Sequence, residues 1–315
     1  MPEPITYADD PSSIIAHAVD LAGQSRRIAL VTSVGIEGGA ARALGALAVV
    51  DETGAMTGYL SNGCIDRDIQ LHALEALHSG TKKLLRYGDG SQFADLTLPC
   101  GGSLSVLIDP TRDQTELIAL HQALQARKAG TLRFQLPQAD GHAPDAIVFE
   151  YKPKVRLVLA GRGAIFRAMA QIGHATRFEV FGLSPEVEDL AAITGLTTSP
   201  PVHLTTPQHP VDLPELDAHA AFLTLFHDHE WEPALLQAAL ASDAHYIGSL
   251  GSTRTHMVRK ETLAGLGVAQ QDTDRLHGPI GLVPSLRDAP LIAVSALAEI
   301  VASLPQRVRR ISPAI

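Results

Sequence analysis

Two thiols, each set beside glycine, are the side chains in this sequence best suited to chemistry. Cys100 stands in Leu98-Pro99-Cys100-Gly101-Gly102-Ser103, at the mouth of the mostly apolar run Leu104 to Ile108. Proline holds the chain extended before the sulfur. The glycines remove side-chain bulk after it, so a ligand could approach backbone amides and thiol together. Cys64 closes Ser61-Asn62-Gly63-Cys64, a turn signal leading into a helical pattern. At or near that helix's N-terminus, the dipole and free amides would favour a thiolate. The plain alternative is two buried small apolar residues. A hydrolase nucleophile would need a histidine base that spacing cannot locate. A Cys64–Cys100 disulfide would need Cα atoms within about 7 Å.

Four other groups could bind a ligand. Gly35-Ile36-Glu37-Gly38-Gly39-Ala40-Ala41-Arg42 is a glycine-rich loop holding one arginine. Gly161-Arg162-Gly163-Ala164-Ile165-Phe166 has two of the three glycines of a dinucleotide fingerprint, with Phe166 in the third place, which implies a shifted helix or an altered site. An acid to hold the ribose belongs after the next strand, where Gly182-Leu183-Ser184 stands. His227-Asp228-His229-Glu230 follows a strand, so His227 and His229 could form a metal pair or a plain polar loop. Arg254, His256 and Arg259, beside Gly248 to Gly251, could hold an anion or form a solvated helix face, and His277 in His277-Gly278-Pro279 is free to face a cleft.

These groups are carried by an α/β pattern. Helical spacing covers Ile14 to Ala22, with Ser12 or Ser13 as N-cap and Gly23 as stop. Strands fit Arg27 to Val34 and Ala46 to Val50, and Asp51-Glu52-Thr53-Gly54 turns the chain antiparallel into Met56 to Leu60. Ile65, Ile69, Ala73 and Leu77 stripe the helix that follows Cys64. Strands at 82–87 and 104–108, a helix at 115–128, and strands at 131–135 and 146–151 complete the first half. Tyr151-Lys152-Pro153-Lys154 reads as the boundary, giving domains 1–151 and 152–315. Beyond it, strand–glycine turn–helix–strand units (155–160, 164–172, 177–181) continue through a strand at 220–226 and the strand-then-glycine stretch 246–252 to a closing helix at 291–302. That succession predicts a Rossmann-like doubly wound parallel sheet.

Composition narrows the function. The 315 residues carry a net charge of -9, and aromatics make up only 4%. No basic face interleaved with aromatics is present, which argues against nucleic acid. Two cysteines make no disulfide framework, and Met1-Pro2-Glu3-Pro4 lacks the basic start of a secretory signal. No apolar run approaches membrane-spanning length. The expectation is a soluble cytoplasmic protein without a membrane partner.

The ordered set of motifs resembles the XdhC/CoxI family over nearly the whole chain. The glycine-rich loop and hairpin, Ser61-Asn62-Gly63-Cys64, Leu85-Arg86-Tyr87 and Cys100-Gly101-Gly102 resemble its N-terminal domain. Leu159 to Gly163, His227 to Glu230, Tyr246 to Ser252, His277 to Leu282 and Ala298-Glu299-Ile300 resemble its Rossmann domain. The resemblance implies a non-catalytic carrier of the molybdenum cofactor (molybdopterin), in mononucleotide or dinucleotide form. Such a carrier holds the cofactor while a cysteine desulfurase supplies its sulfido ligand. It then passes the cofactor to a client enzyme of the xanthine dehydrogenase or aldehyde oxidoreductase type. A homodimer is expected. Cys100 is the first candidate for contact with molybdenum and Cys64 the second. The remaining candidate cofactor contacts are Asn62, Gly63, Gly101, Gly102, Arg42, Gly161, Arg162, Gly163, Gly248, Gly251 and His277. The chain departs from the family at Gly39-Ala40-Ala41, Asn62, Gly182 and Leu291. Rival readings are an NAD(P)-dependent oxidoreductase built on the second domain, and an interaction protein whose glycine loops are only turns.

Overall fold

The structure, a computed structural model, describes residues 4–89, 101–137, 146–207, 212–228 and 230–304, with the backbone of 309–312. Cys100 and His229 lie outside the described residues. Two compact units divide between Pro153 and Lys154.

The first unit runs β1 (Ile5–Thr6), α1 (Pro11–Gly23), β2 (Ile28–Glu37), β3 (Leu47–Asp51), β4 (Met56–Gly58), α2 (Asp66–Ser79), β5 (Lys83–Gly88), β6 (Ser103–Asp109), α3 (Gln114–Gln125), β7 (Gly130–Gln135) and β8 (Ala146–Tyr151). Its six-stranded sheet has the order β1-β4-β3-β2-β6-β5. Period-two alternation sends Leu30, Val49 and Leu107 to one face, against α1, α3, β7 and β8. It sends Val31, Val50 and Val106 to the other, against Ile69, Ala73 and Leu77 of α2. Both faces are covered, which accounts for strands apolar throughout.

Helix starts are set by carboxylates. Asp10, rather than Ser12 or Ser13, caps α1, accepting from the Ser13 amide at 2.9 Å. At α2 a fully buried Asp66 turns its carboxylate back into the preceding loop. Oδ1 accepts from the amides of Leu60 (2.8 Å) and Ser61 (3.1 Å), and Oδ2 from that of Gly63 (2.7 Å). Ser61 Oγ accepts from the Ile65 amide at 2.9 Å and completes the turn.

The second unit runs β9 (Arg156–Gly161), α4 (Gly163–Ala175), β10 (Glu179–Ser184), α5 (Val187–Ile193), β11 (Val202–His203), β12 (Ala220–Leu225), α6 (Glu232–Leu240), β13 (Tyr246–Ser249), α7 (Thr253–Gly265), α8 (Gln270–Thr273), β14 (Leu276–His277) and α9 (Ala289–Ser303). The sheet order β11-β10-β9-β12-β13-β14, parallel throughout, is the 3-2-1-4-5-6 order of a Rossmann sheet. The expected doubly wound architecture is therefore present. Helices α4 and α9 cover one face of this sheet, and α6 and α7 the other.

Three sequence expectations change. The second domain does not run to residue 315: β15 (Arg309–Ser312) pairs antiparallel with β8 in the first unit, covering an otherwise open edge. Strand β10 extends to Ser184, so Gly182 sits inside it and not at its end. A Cβ at Gly182 would come within 2.3 Å of Ile193 and 3.4 Å of Phe166. Gly182 thus makes room chiefly for Ile193 of α5, and α4 keeps a regular course over a buried Phe166. Arg259 is 5% exposed and gives two hydrogen bonds to Glu232, at 3.0 and 2.9 Å. It is a core ion pair and not an anion ligand.

The Asp66 network yields a stability prediction. In Asp66→Ala the buried amides of Leu60 and Ser61 lose their acceptor, while water can replace it at the exposed Gly63. Each buried unpaired amide costs about 1–3 kcal/mol, so urea denaturation should report a loss of about 2–6 kcal/mol. A loss below about 0.5 kcal/mol, the size of an ordinary surface substitution, would contradict the network's role.

Candidate functional site

Strand directions in the first unit bring the loops together. β1, β4, β2 and β5 run one way and β3 and β6 the other. One rim of the sheet therefore collects Tyr7 after β1, Gly38 after β2, Tyr59 after β4, Gly88 closing β5, and Gly101-Gly102 before β6. The loop carrying Arg42 joins β2 to β3 along that rim, and Asn62-Gly63-Cys64 joins β4 to α2.

Cys64 is a free, exposed thiol. The buried-hydrophobe alternative is thus excluded for Cys64. Its placement is the expected one near the N-terminus of α2: Ile65 is the N-cap, and Cys64 stands immediately before it. Asp66 and Asp68 fill the first turn of the helix. What presents the sulfur is the tight loop before the helix, in which Asn62 and Gly63 take φ of 57° and 104°. Glycine suits the second of these, where other residues are strained. Asn62 and Gly63 are exposed beside the thiol.

Arg42 reaches this loop's surroundings from the glycine-rich segment. Its guanidinium carbon lies 4.5 Å from the centroid of the Tyr59 ring, and Nη2 donates to the Asp9 carbonyl at 2.8 Å. Tyr59 also meets Tyr7, with ring centroids 5.3 Å apart and planes inclined at 54°. Sequence reasoning missed both tyrosines. The signal was their position, each immediately after a strand on the same rim.

Gly101 and Gly102 part company. Gly101 is exposed, and nothing lies within 4 Å of where its Cβ would be. Gly102 is buried: a Cβ there would meet the Gly39 carbonyl at 2.3 Å and the Glu37 carbonyl at 2.6 Å. Its bareness admits neighbouring backbone and not a ligand, which corrects its assignment as a contact. Glu37 nearby accepts from both Arg86 Nη atoms, at 3.3 and 2.7 Å, and the pairing holds its carboxyl below the usual range. Tyr87 is fully buried and donates to Asp68 at 2.7 Å. Burial and that carboxylate push its phenol well above the ordinary value, so it is a fixed neutral donor tying β5 to α2.

In the second unit the switch point between β9 and β12 is where a Rossmann sheet takes a dinucleotide. Here its groups are already engaged. Gly163, the first residue of α4, donates its amide to Asp189 Oδ2 at 2.6 Å. Asp189 is 3% exposed and also pairs with Arg167. An internal carboxylate occupies the position of a pyrophosphate oxygen. Arg162 pairs with Asp228 after β12 and with Glu186 after β10, the latter at 3.2 Å. Glu186 is the first acid after β10, two residues beyond the strand's end.

The remaining candidates are structural or dispersed. Gly161 packs on Leu225 and Gly248 on Ile280 and Tyr246, both with Cβ clearances under 3 Å. Gly251 forms the turn before α7, with φ of 145°. His277 is half-exposed, stacks on Tyr246 at 4.5 Å and lies 3.4 Å from Glu299. His227 is exposed, and among the described residues no group of three or more metal-ligating side chains assembles. Leu291, where the chain departs from the family, is inside α9, and Asp288 stands at the helix's cap position. Among the described residues no helix is long and apolar enough to cross a membrane.

Comparison with known proteins places both halves. A model described as the XdhC and CoxI family matches residues 21–88, and one described as the XdhC Rossmann domain matches 157–300. The molybdenum cofactor insertion chaperone PaoD of Escherichia coli (strain K12) is 33% identical over 312 residues, covering 95% of this chain and 90% of the relative. A probable xanthine dehydrogenase subunit of Bacillus subtilis (strain 168) is 24% identical over 323 residues, covering 86% of this chain and 92% of the relative. A crystal structure described as a xanthine dehydrogenase from Bacillus halodurans superposes with a TM-score of 0.71 at 19% identity, over 92% of this chain and 95% of that one. That likeness speaks for the fold alone. With one residue in three identical along nearly its full length and both halves matched in order, the chain belongs to the XdhC/CoxI family.

Proposed function

We propose that this protein is a molybdenum-cofactor insertion chaperone that carries its cargo on the loop-bearing rim of the first unit. The observation that carries the reading is the near-complete alignment with a relative that is itself such a chaperone. The rim supplies matching chemistry. Molybdopterin is anionic, prone to oxidation and bears a phosphate. An exposed thiol is a soft donor for its metal side, and an arginine suits its phosphate. Cys64 is the thiol present among the described residues. Cys100, one residue before Gly101 in the chain, is the second. A carrier of this kind performs no turnover of its own. It holds the cofactor while a cysteine desulfurase delivers sulfur, then yields it to a molybdenum hydroxylase client. A cytoplasmic homodimer is part of the same proposal.

The oxidoreductase reading is disfavoured by the second unit's geometry. A pyrophosphate would have to displace Asp189 from the Gly163 amide and separate Arg162 from Asp228 and Glu186. Asp189 would keep Arg167 but lose a hydrogen bond of the charged kind, worth about 1.5–3 kcal/mol, which a ligand would have to offset before it bound.

Two tests follow. The purified protein should bind the intact cofactor stoichiometrically, with molybdenum and pterin counted together. Cys64→Ala and Cys100→Ala should each be assayed, and at least one should weaken binding about tenfold or more, or ~1.4 kcal/mol. Wild-type affinity in both, and in the double variant, would remove the thiols from the account. Fluorescence titration with NADH and NADPH should stay silent to about millimolar, where a functional nucleotide site would already be saturated. Saturable micromolar binding would instead restore the oxidoreductase reading.

A further inference from the structure

We propose that Tyr7, backed by Tyr59 and Arg42, is the surface on which the pterin ring of the cargo stacks, with Arg42 taking its phosphate. The assignment rests on the carrier reading above and goes beyond it by naming the recognition elements. β1 and β4 are parallel, with Thr6 opposite Thr57, so the residues that follow them emerge at the same rim. Tyr7 and Tyr59 are brought into ring contact in this way, although 52 positions separate them in the sequence. Tyr87 and Tyr151, by contrast, are buried and spend their hydroxyls on internal acceptors. Tyr7 is 49% exposed, and neither Tyr7 nor Tyr59 belongs to the hydrophobic clusters on the two faces of this sheet.

Arg42 extends the aromatic pair with charge. Its guanidinium lies against Tyr59, and its Nε is buried with no hydrogen-bond partner among the described residues. A guanidinium offers five donors in a planar fork. A phosphate accepts from such a fork in two parallel bonds. Tyr7 also reaches the thiol loop, for its hydroxyl lies 3.6 Å from where a Cβ at Gly63 would stand, one residue before Cys64. An open aromatic face, a cation with an unpaired donor and a soft sulfur thus occur within one small patch. Molybdopterin presents a planar heteroaromatic ring, a phosphate and a sulfur-bound metal. A nucleobase with its phosphate shares the first two features, so the probes must separate the two sources.

The test uses the full chain and metal-free probes, so that sulfur–metal contact plays no part. These are the oxidised fluorescent pterin phosphate obtained from molybdopterin, its dephosphorylated form, and CMP and GMP. Wild type should bind the pterin phosphate more tightly than either nucleotide. Tyr7→Ala and Tyr59→Ala should weaken it about tenfold or more, the scale of one stacked ring, while Tyr7→Phe stays within about twofold. Arg42→Ala should weaken the phosphate form about tenfold and leave the dephosphorylated form unchanged. The proposal is overturned by wild-type affinity in Tyr7→Ala, by equal losses for both pterin forms in Arg42→Ala, by tighter binding of CMP or GMP, or by no pterin binding at millimolar concentration. Failure here with intact cofactor still captured would spare the carrier reading. Failure of that capture would end both.

Discussion

The first unit's site depends on one buried carboxylate. Asp66 gathers the amides of Leu60, Ser61 and Gly63, and so forces the chain between β4 and α2 into a tight loop that faces outward. Without that acceptor the loop would have to leave amides unpaired or open into water, and Asn62, Gly63 and Cys64 would lose their fixed place. The charge is held by three amide donors, which is the usual condition for keeping a carboxylate buried. Tyr87, donating to Asp68 two residues along α2, ties the same helix start to β5. The exposed thiol is therefore carried on a loop whose base is fixed by hydrogen bonds.

The second unit applies a similar device with a different result. Asp189 takes the amide of Gly163 where a cofactor's phosphate would stand in a nucleotide-binding sheet of this order. Arg162 is drawn between carboxylates on both sides of the crevice. A fold that elsewhere binds dinucleotides has here spent its phosphate-binding groups on itself. Fold and function separate at this point, since the same scaffold serves many roles and the site decides among them. In the first unit the internal carboxylate exposes a reactive group. In the second it closes a crevice.

Much of this was legible in the sequence, and the reasons for the rest are physical. Runs of β-branched residues and glycine punctuation located β2, β8, β9 and α4 closely, because local periodicity survives tertiary packing. The turn at Asn62-Gly63 and the helix after it were legible from residue types alone. What local pattern cannot carry is pairing across distance. Tyr7 and Tyr59 meet only because β1 is parallel to β4, and β1 is two residues long. Gly182 looked like a lost ribose-binding acid, yet it lies inside β10 and makes room for Ile193 of α5. Gly102 looked like a ligand's landing place, yet it admits the backbone of Gly39. Arg259 belonged to an apparent anion cluster until its partner Glu232, 27 residues away, was visible. Bare backbone beside a thiol suggests access, but only geometry separates glycine that opens a site from glycine that packs one.

The central claim, that cargo sits at the rim beside Cys64, is tested most directly by the reactivity of that thiol. Alkylation by iodoacetamide, followed peptide by peptide by mass spectrometry, reads Cys64 separately from Cys100 in the unmodified protein. Saturation with intact cofactor should slow labelling of Cys64 about tenfold or more, because an occluded or metal-bound thiolate is no longer a free nucleophile. An unchanged rate at Cys64 with one cofactor bound per chain would place the cargo elsewhere and contradict the account.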